Sequence, residues 1–145
     1  MSSSRSRGAA VVLIVVYAIF ALSATARSGV QILLHFEQAP LAYLLSLLAA
    51  LTYIAVTIAL IARGTGSRAV LGLVVLELAG VLVVGTLSLV APSLFPEATV
   101  WSAYGIGYGF VPLLLPLIAL IAGLRTRRAR TVPTAQGPAA PATTP

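Results

Sequence analysis

Four long apolar runs organise the chain, and its polar residues collect between them. Positions 9–26 carry no charge, 41–62 are broken only by Ser, Thr and Tyr, and 69–90 hold a single charge, Glu77. The fourth run, 100–124, opens with Trp101, Tyr104, Gly105, Gly107 and Gly109 before the strongly apolar LLLPLIALIAGL. A membrane-crossing helix needs about 20 mostly apolar residues, so each run predicts a span. The expected fold is all-α: a polytopic membrane protein built as a four-transmembrane-helix bundle.

The connections sharpen this outline. In 27–40 (RSGVQILLHFEQAP), Val30, Leu33, Leu34 and Glu37 recur at helical spacing, which predicts a short interfacial helix on the outer surface. Pro40 suits the first turn of the second span, where its missing N–H would have been unpaired anyway. The segment RGTGSR at 63–68 predicts a tight turn, making spans two and three an antiparallel hairpin. Pro92 ends the third span and opens an outer loop, and Trp101 and Tyr104 read as interfacial anchors of the fourth. The organisation expected is an N-terminal segment at 1–8, one membrane domain at 9–124, and a tail at 125–145. That tail begins with Arg125, Arg127, Arg128 and Arg130 and continues as a Pro/Ala/Thr-rich stretch expected to be disordered. The small residues Ala24-Thr25-Ala26 after a basic start and an apolar run also fit a signal-peptidase site, the alternative reading of the first span.

Composition closes off the soluble alternatives. Of 145 residues, 59% are hydrophobic and 8% charged, and the mean hydropathy is +1.06. A water-soluble domain could not bury this much apolar surface. The net charge of +6 sits beside the apolar runs, which fits topology and anionic lipid head groups better than nucleic acid. With both termini cytoplasmic, eight of the nine arginines (5, 7, 63, 68, 125, 127, 128 and 130) fall inside and only Arg27 outside, a strong positive-inside bias. The expected location is a bacterial plasma membrane, with the bilayer and its anionic head groups as partners. Arg125, Arg127, Arg128 and Arg130 would act as a stop-transfer signal and hold the tail against the leaflet. Absence of Cys excludes disulfides and thiol chemistry.

Glu77 is the candidate for chemistry. It follows Arg68 by nine residues, about 13 Å along a helix rising about 1.5 Å per residue, and so lies deep in the hydrocarbon. Inserting such a charge costs roughly 2.5–3.5 kcal/mol. About a dozen Leu and Val residues contributing roughly 0.3–0.6 kcal/mol each outweigh it. The side chain is therefore expected to face protein or a water-filled cavity rather than lipid, and to donate a hydrogen bond as the neutral acid. Tyr17, Tyr53 and Thr57 lie at matching depth, as does the neighbourhood of Pro112 and Pro116. Each of those prolines deprives a carbonyl four residues earlier of its helical donor, so the carbonyls of Tyr108 and Pro112 are candidate acceptors. The functional reading is a proton- or cation-binding site; the alternative is a polar clamp between helices.

Other motifs are weaker. Ile106-Gly107-Tyr108-Gly109 has the look of a potassium-channel filter, but Gly105 occupies the Thr position, Phe110 the usual Asp position, and a re-entrant loop here would leave only about 15 apolar residues for the span. Packing accounts for the glycines more simply: Gly105 and Gly109 form a GxxxG pair on one kinked helix with Pro112 and Pro116. The second span offers a matching stripe at Ala42, Ser46, Ala49, Tyr53 and Thr57. One His and no Asp leave no metal cluster or catalytic triad to propose, and neither enzymatic activity nor a cofactor is expected.

The stretch from Val11 to Arg128, above all PSLFPEATVWSAYGIGYGFVPLLLP, resembles uncharacterised small four-helix integral membrane proteins of actinobacteria. That resemblance implies four spans and a plasma-membrane location, with no activity attached. Small multidrug transporters also combine four helices with an intramembrane Glu, but they carry it in the first helix. The sequence thus leads to a non-enzymatic protein, either self-associating or an accessory subunit of a larger membrane complex, with a small proton-coupled carrier using Glu77 as the alternative.

Overall fold

A computed structural model describes residues 2–131. Every regular element among them is helical: α1 (Ser2–His35), α2 (Pro40–Arg63), α3 (Arg68–Val90) and α4 (Val111–Thr131), with short 3-10 segments at Phe36–Gln38, Pro92–Leu94 and Ser102–Tyr108. Three helices are long and apolar enough to cross a membrane. A fourth crossing is complete if the Ser102–Tyr108 segment and α4, bent by 101° to one another, count as one span. The chain is an all-helical, multi-pass membrane protein in contact with the lipid bilayer.

Helix α1 departs from expectation. It runs unbroken for 34 residues, about 51 Å at about 1.5 Å per residue, so no separate interfacial helix forms at 27–40. The helix gives way only at His35 (φ −135°), where a single 3-10 turn at Phe36–Gln38 leads to Ala39, which Pro40 keeps out of helical geometry at φ −153°. A hydrocarbon core is only about 30 Å thick, and the end of α1 projects with Leu33 and Leu34 exposed. The Ala24-Thr25-Ala26 motif lies within this unbroken helix, with Ala24 buried in the core.

Local chemistry shapes the α2–α3 turn. Gly64 takes the left-handed φ of 74° that ends α2 and donates its N–H to the Leu60 carbonyl, while the Ser67 hydroxyl caps α3 by accepting from the Val70 N–H. Thr126 of α4 reaches the same turn, its hydroxyl 3.4 Å from that of Thr65. Arg63, Arg68, Arg125, Arg127, Arg128 and Arg130 therefore share one end of the bundle. All four arginines of the expected tail's basic cluster are helical, because α4 continues to Thr131; the Pro/Ala/Thr-rich remainder from 132 lies outside the described residues.

Each helix buries one stripe at helical spacing. Tyr17, Ala21, Ala24 and Ser28 of α1 pack along Ala42, Ser46, Ala49, Tyr53 and Val56 of α2, small residues on small, in the most extensive helix contact of the fold. On α3 the stripe is Val70, Val74, Glu77, Val81 and Val84; on α4 it is Pro112, Pro116, Ala119 and Gly123. A Cβ on Gly123 would stand 2.7 Å from both Leu71 and the Thr65 carbonyl, which makes glycine the residue that lets α4 approach the turn.

The fourth span differs most from its prediction. It is not one kinked helix over 100–124. Gly105 (φ 82°), Gly109 (φ 61°), and the non-glycine residues Ala103 (φ 46°), Tyr104 (φ 60°) and Phe110 (φ 61°) all take left-handed geometry. This breaks the chain, so Gly105 and Gly109 cannot form a helical GxxxG face. Pro112 then falls in the first turn of α4, where it kinks nothing, and only Pro116 lies within the helix.

Candidate functional site

The connection between α3 and α4 folds back into the bundle. From the end of α3 the chain passes Pro92–Leu94 and turns inward, until Trp101 lies against Gly80, twelve residues into α3. At about 1.5 Å per residue that is about 18 Å from the start of α3. It then climbs back: the Ala103 N–H donates to the Ser88 hydroxyl at 2.8 Å, the Tyr104 ring packs on Gly85, and the Tyr104 and Thr86 hydroxyls lie 3.0 Å apart. Trp101 is only 2% exposed, so it is a core plug and not the interfacial anchor expected. Glycines make the seat. A Cβ at Gly80 would meet the Trp101 ring at 2.6 Å, and one at Gly85 would meet Tyr104 at 2.5 Å.

Each non-glycine residue held in left-handed geometry costs on the order of 1–3 kcal/mol and persists only where surrounding contacts over-determine it. The plug has such contacts. The Arg27 guanidinium donates to the Tyr108 hydroxyl at 2.8 Å and to the Ala98 carbonyl at 3.2 Å, and stands 6.0 Å from the Tyr108 ring centroid. The Trp101 indole N–H donates to the Tyr53 hydroxyl at 3.1 Å. Arg27, which the sequence marks only as the exception to the charge rule, is thus the latch on this segment.

Glu77 lies beneath the plug with no exposed surface. The Tyr17 hydroxyl donates to its Oε2 at 2.7 Å, while its Oε1 is buried without a hydrogen-bond partner. Oε2 therefore accepts from a side chain, where the sequence suggested a carboxyl donating to a carbonyl of Tyr108 or Pro112. Those two residues lie elsewhere: Tyr108 on Arg27, and Pro112 against Gly105 at the plug end of α4. Tyr53 stands next to the pair, its ring 6.2 Å from that of Tyr17. Phe20 packs edge-on against Tyr53 at 5.8 Å and Tyr108 at 6.0 Å. An aromatic file thus runs from the carboxyl to the latch.

Of the other candidate residues, Thr57 is not in this cluster; its hydroxyl donates to the Tyr53 carbonyl of its own helix at 2.7 Å. Pro116 is buried on the inner face of α4. In the filter-like Ile106-Gly107-Tyr108-Gly109 the Ile106 carbonyl accepts from the Gly109 N–H, and the Gly105 carbonyl just before it accepts from the Phe110 N–H. His35 faces Gln38 at 3.3 Å, away from Arg27 and its partners. Phe20, Arg27, Gly80, Gly85 and Trp101 are what sequence reasoning missed as site residues. Gly80, three residues past Glu77 on the same helix face, was the available signal for a bulky partner. Compared with known proteins, the chain matches no family, no curated protein and no solved structure.

Proposed function

We propose that this is a non-enzymatic carrier of the bacterial plasma membrane that binds and releases protons at Glu77. The half-satisfied carboxyl supports this reading above all. A polar clamp between membrane helices contributes about 0.6 kcal/mol on average, whereas a buried polar atom without a partner costs about 1–3 kcal/mol. A side chain kept only to clamp would engage both oxygens. Glu77 engages one, through Tyr17, and holds the other unpartnered beside Tyr53 and below the plug. Those features suit a group that exchanges a proton when the plug shifts.

Reconstituted protein tests this directly. Liposomes containing the wild type should dissipate a pH gradient, read by an enclosed pH-sensitive dye, and Glu77→Gln should abolish that flux while keeping the helical content. Equal flux from both proteins would return Glu77 to the role of a clamp.

Self-association or service as an accessory subunit is the weaker reading, because the stripe Ala42, Ser46, Ala49 and Tyr53 that motivated it is buried against α1 within one chain. A stoichiometric partner in a crosslinking pull-down from native membranes would restore it. The clustering of arginines at the α2–α3 turn supports a cytoplasmic location for both termini. Cysteines placed singly at Ala98 and Ala129, both exposed, should react with a membrane-impermeant reagent on intact cells at Ala98 alone; labelling at Ala129 would invert the orientation.

A further inference from the structure

Above the turn, α2 and α3 separate and leave a groove of about 300 Å³. Leu45 and Leu48 form one wall, Leu76, Ala79 and Val83 the other, and the Trp101 ring closes its inner end. The groove opens sideways, past Leu48 at 49% and Val83 at 57% exposure. Thr52 lies eleven residues from the end of α2 and Gly80 twelve from the start of α3. At about 1.5 Å per residue this is about 16–18 Å deep, near the middle of a hydrocarbon core about 30 Å thick.

Water does not suit this space. A buried water needs about two to four polar partners, and the one hydroxyl in the lining, on Thr52, already donates to the Leu48 carbonyl at 2.8 Å. The indole N–H of Trp101 is directed to Tyr53. A transmembrane helix does not suit it either, since a helix with its side chains is about 10–12 Å across and even one turn of it needs more room than about 300 Å³. Left empty, the walls would forgo dispersion contacts along their whole length. What fits is an unbranched apolar chain arriving from the side.

We propose that the groove between α2 and α3 is a binding site for one acyl chain of a bilayer lipid, with Trp101 as its end wall. The bound chain packs on the same ring whose indole nitrogen holds Tyr53, so lipid touches the plug directly. This site is separate from the Glu77 carboxyl and stands whether or not that group carries protons.

Trp101 is the only tryptophan in the chain, which supplies the readout. The full-length protein in phosphatidylcholine vesicles brominated near the middle of the acyl chains should lose most of its tryptophan emission, although the ring is almost wholly buried. Ala79→Phe, which fills the groove, should restore most of that emission. Leu82→Phe, on the same helix outside the groove lining, should not. Absence of quenching in the wild type would overturn the proposal, as would equal quenching in all three proteins. Wild-type quenching that vanishes as the protein-to-lipid ratio rises would assign the groove to a second copy and overturn it too.

Discussion

Two of the three connections between the helices achieve their turns by different means. The α2–α3 turn uses residues 64–67 and is shaped by its own backbone and one serine, with α4 touching it through Thr126 and Gly123. The α3–α4 connection uses residues 91–110, plunges back between the helices, and is held by residues from α1, α2 and α3: Arg27, Tyr53, Gly80, Gly85 and Ser88. The first is a local solution, in which a left-handed glycine and an N-cap satisfy the helix ends. The second is a tertiary one, since left-handed Ala103, Tyr104 and Phe110 are tolerable only while distant partners hold them. The short turn joins helices; the long connection closes a polar centre.

Mutations should expose the contrast, and the plug should give the largest response. Trp101→Ala removes a buried ring and should destabilise the protein by about 3–5 kcal/mol, the range for Trp truncation in cores, measured by denaturant or thermal unfolding in detergent. An effect below that of an ordinary surface change would mean that the ring does not seat in the bundle.

The seat comes next. Gly80→Ala pushes a methyl into Trp101 and should cost about 1–3 kcal/mol through overpacking. Gly72→Ala, on the same helix with nothing within 4 Å of its added Cβ, should be neutral or stabilising by up to about 1 kcal/mol, because alanine favours helix over glycine. Equal effects at the two glycines would break the argument that the plug, and not helix propensity, explains Gly80. The smallest change belongs to the short turn. Ser67→Ala removes the α3 cap and should cost about 1 kcal/mol, and in contrast to the plug variants it should leave Trp101 emission unaltered.

What could be read along the chain follows this local-versus-distant division. The spans at 41–62 and 69–90 lie within α2 and α3, because uncharged length, a proline at the start and a Gly/Ser turn act on neighbouring residues. The depth of Glu77 was legible for the same reason: helical rise converts sequence distance into height. Its partner was legible only as one of several residues at that height, and neither Tyr17 as donor nor the unengaged Oε1 could be singled out. The fourth span was misread because GxxxG and paired prolines describe a helix only if the backbone is helical. Here Trp101, Tyr104 and Gly105 each fit a cavity or a neighbour that lies elsewhere in the chain.

The sequence by itself determined the number of long apolar segments, the α2–α3 turn and the depth of the one deep carboxyl, since periodicity, capping and hydrophobic length are local quantities. Only the tertiary structure decided that α1 continues to His35, that 91–110 returns as a plug latched by Arg27, and that Tyr17 is the residue that meets Glu77. Those outcomes depend on which stripes pack together and on where glycines leave room for rings. Pairwise contacts between distant residues settle them, and no window along the chain contains both partners.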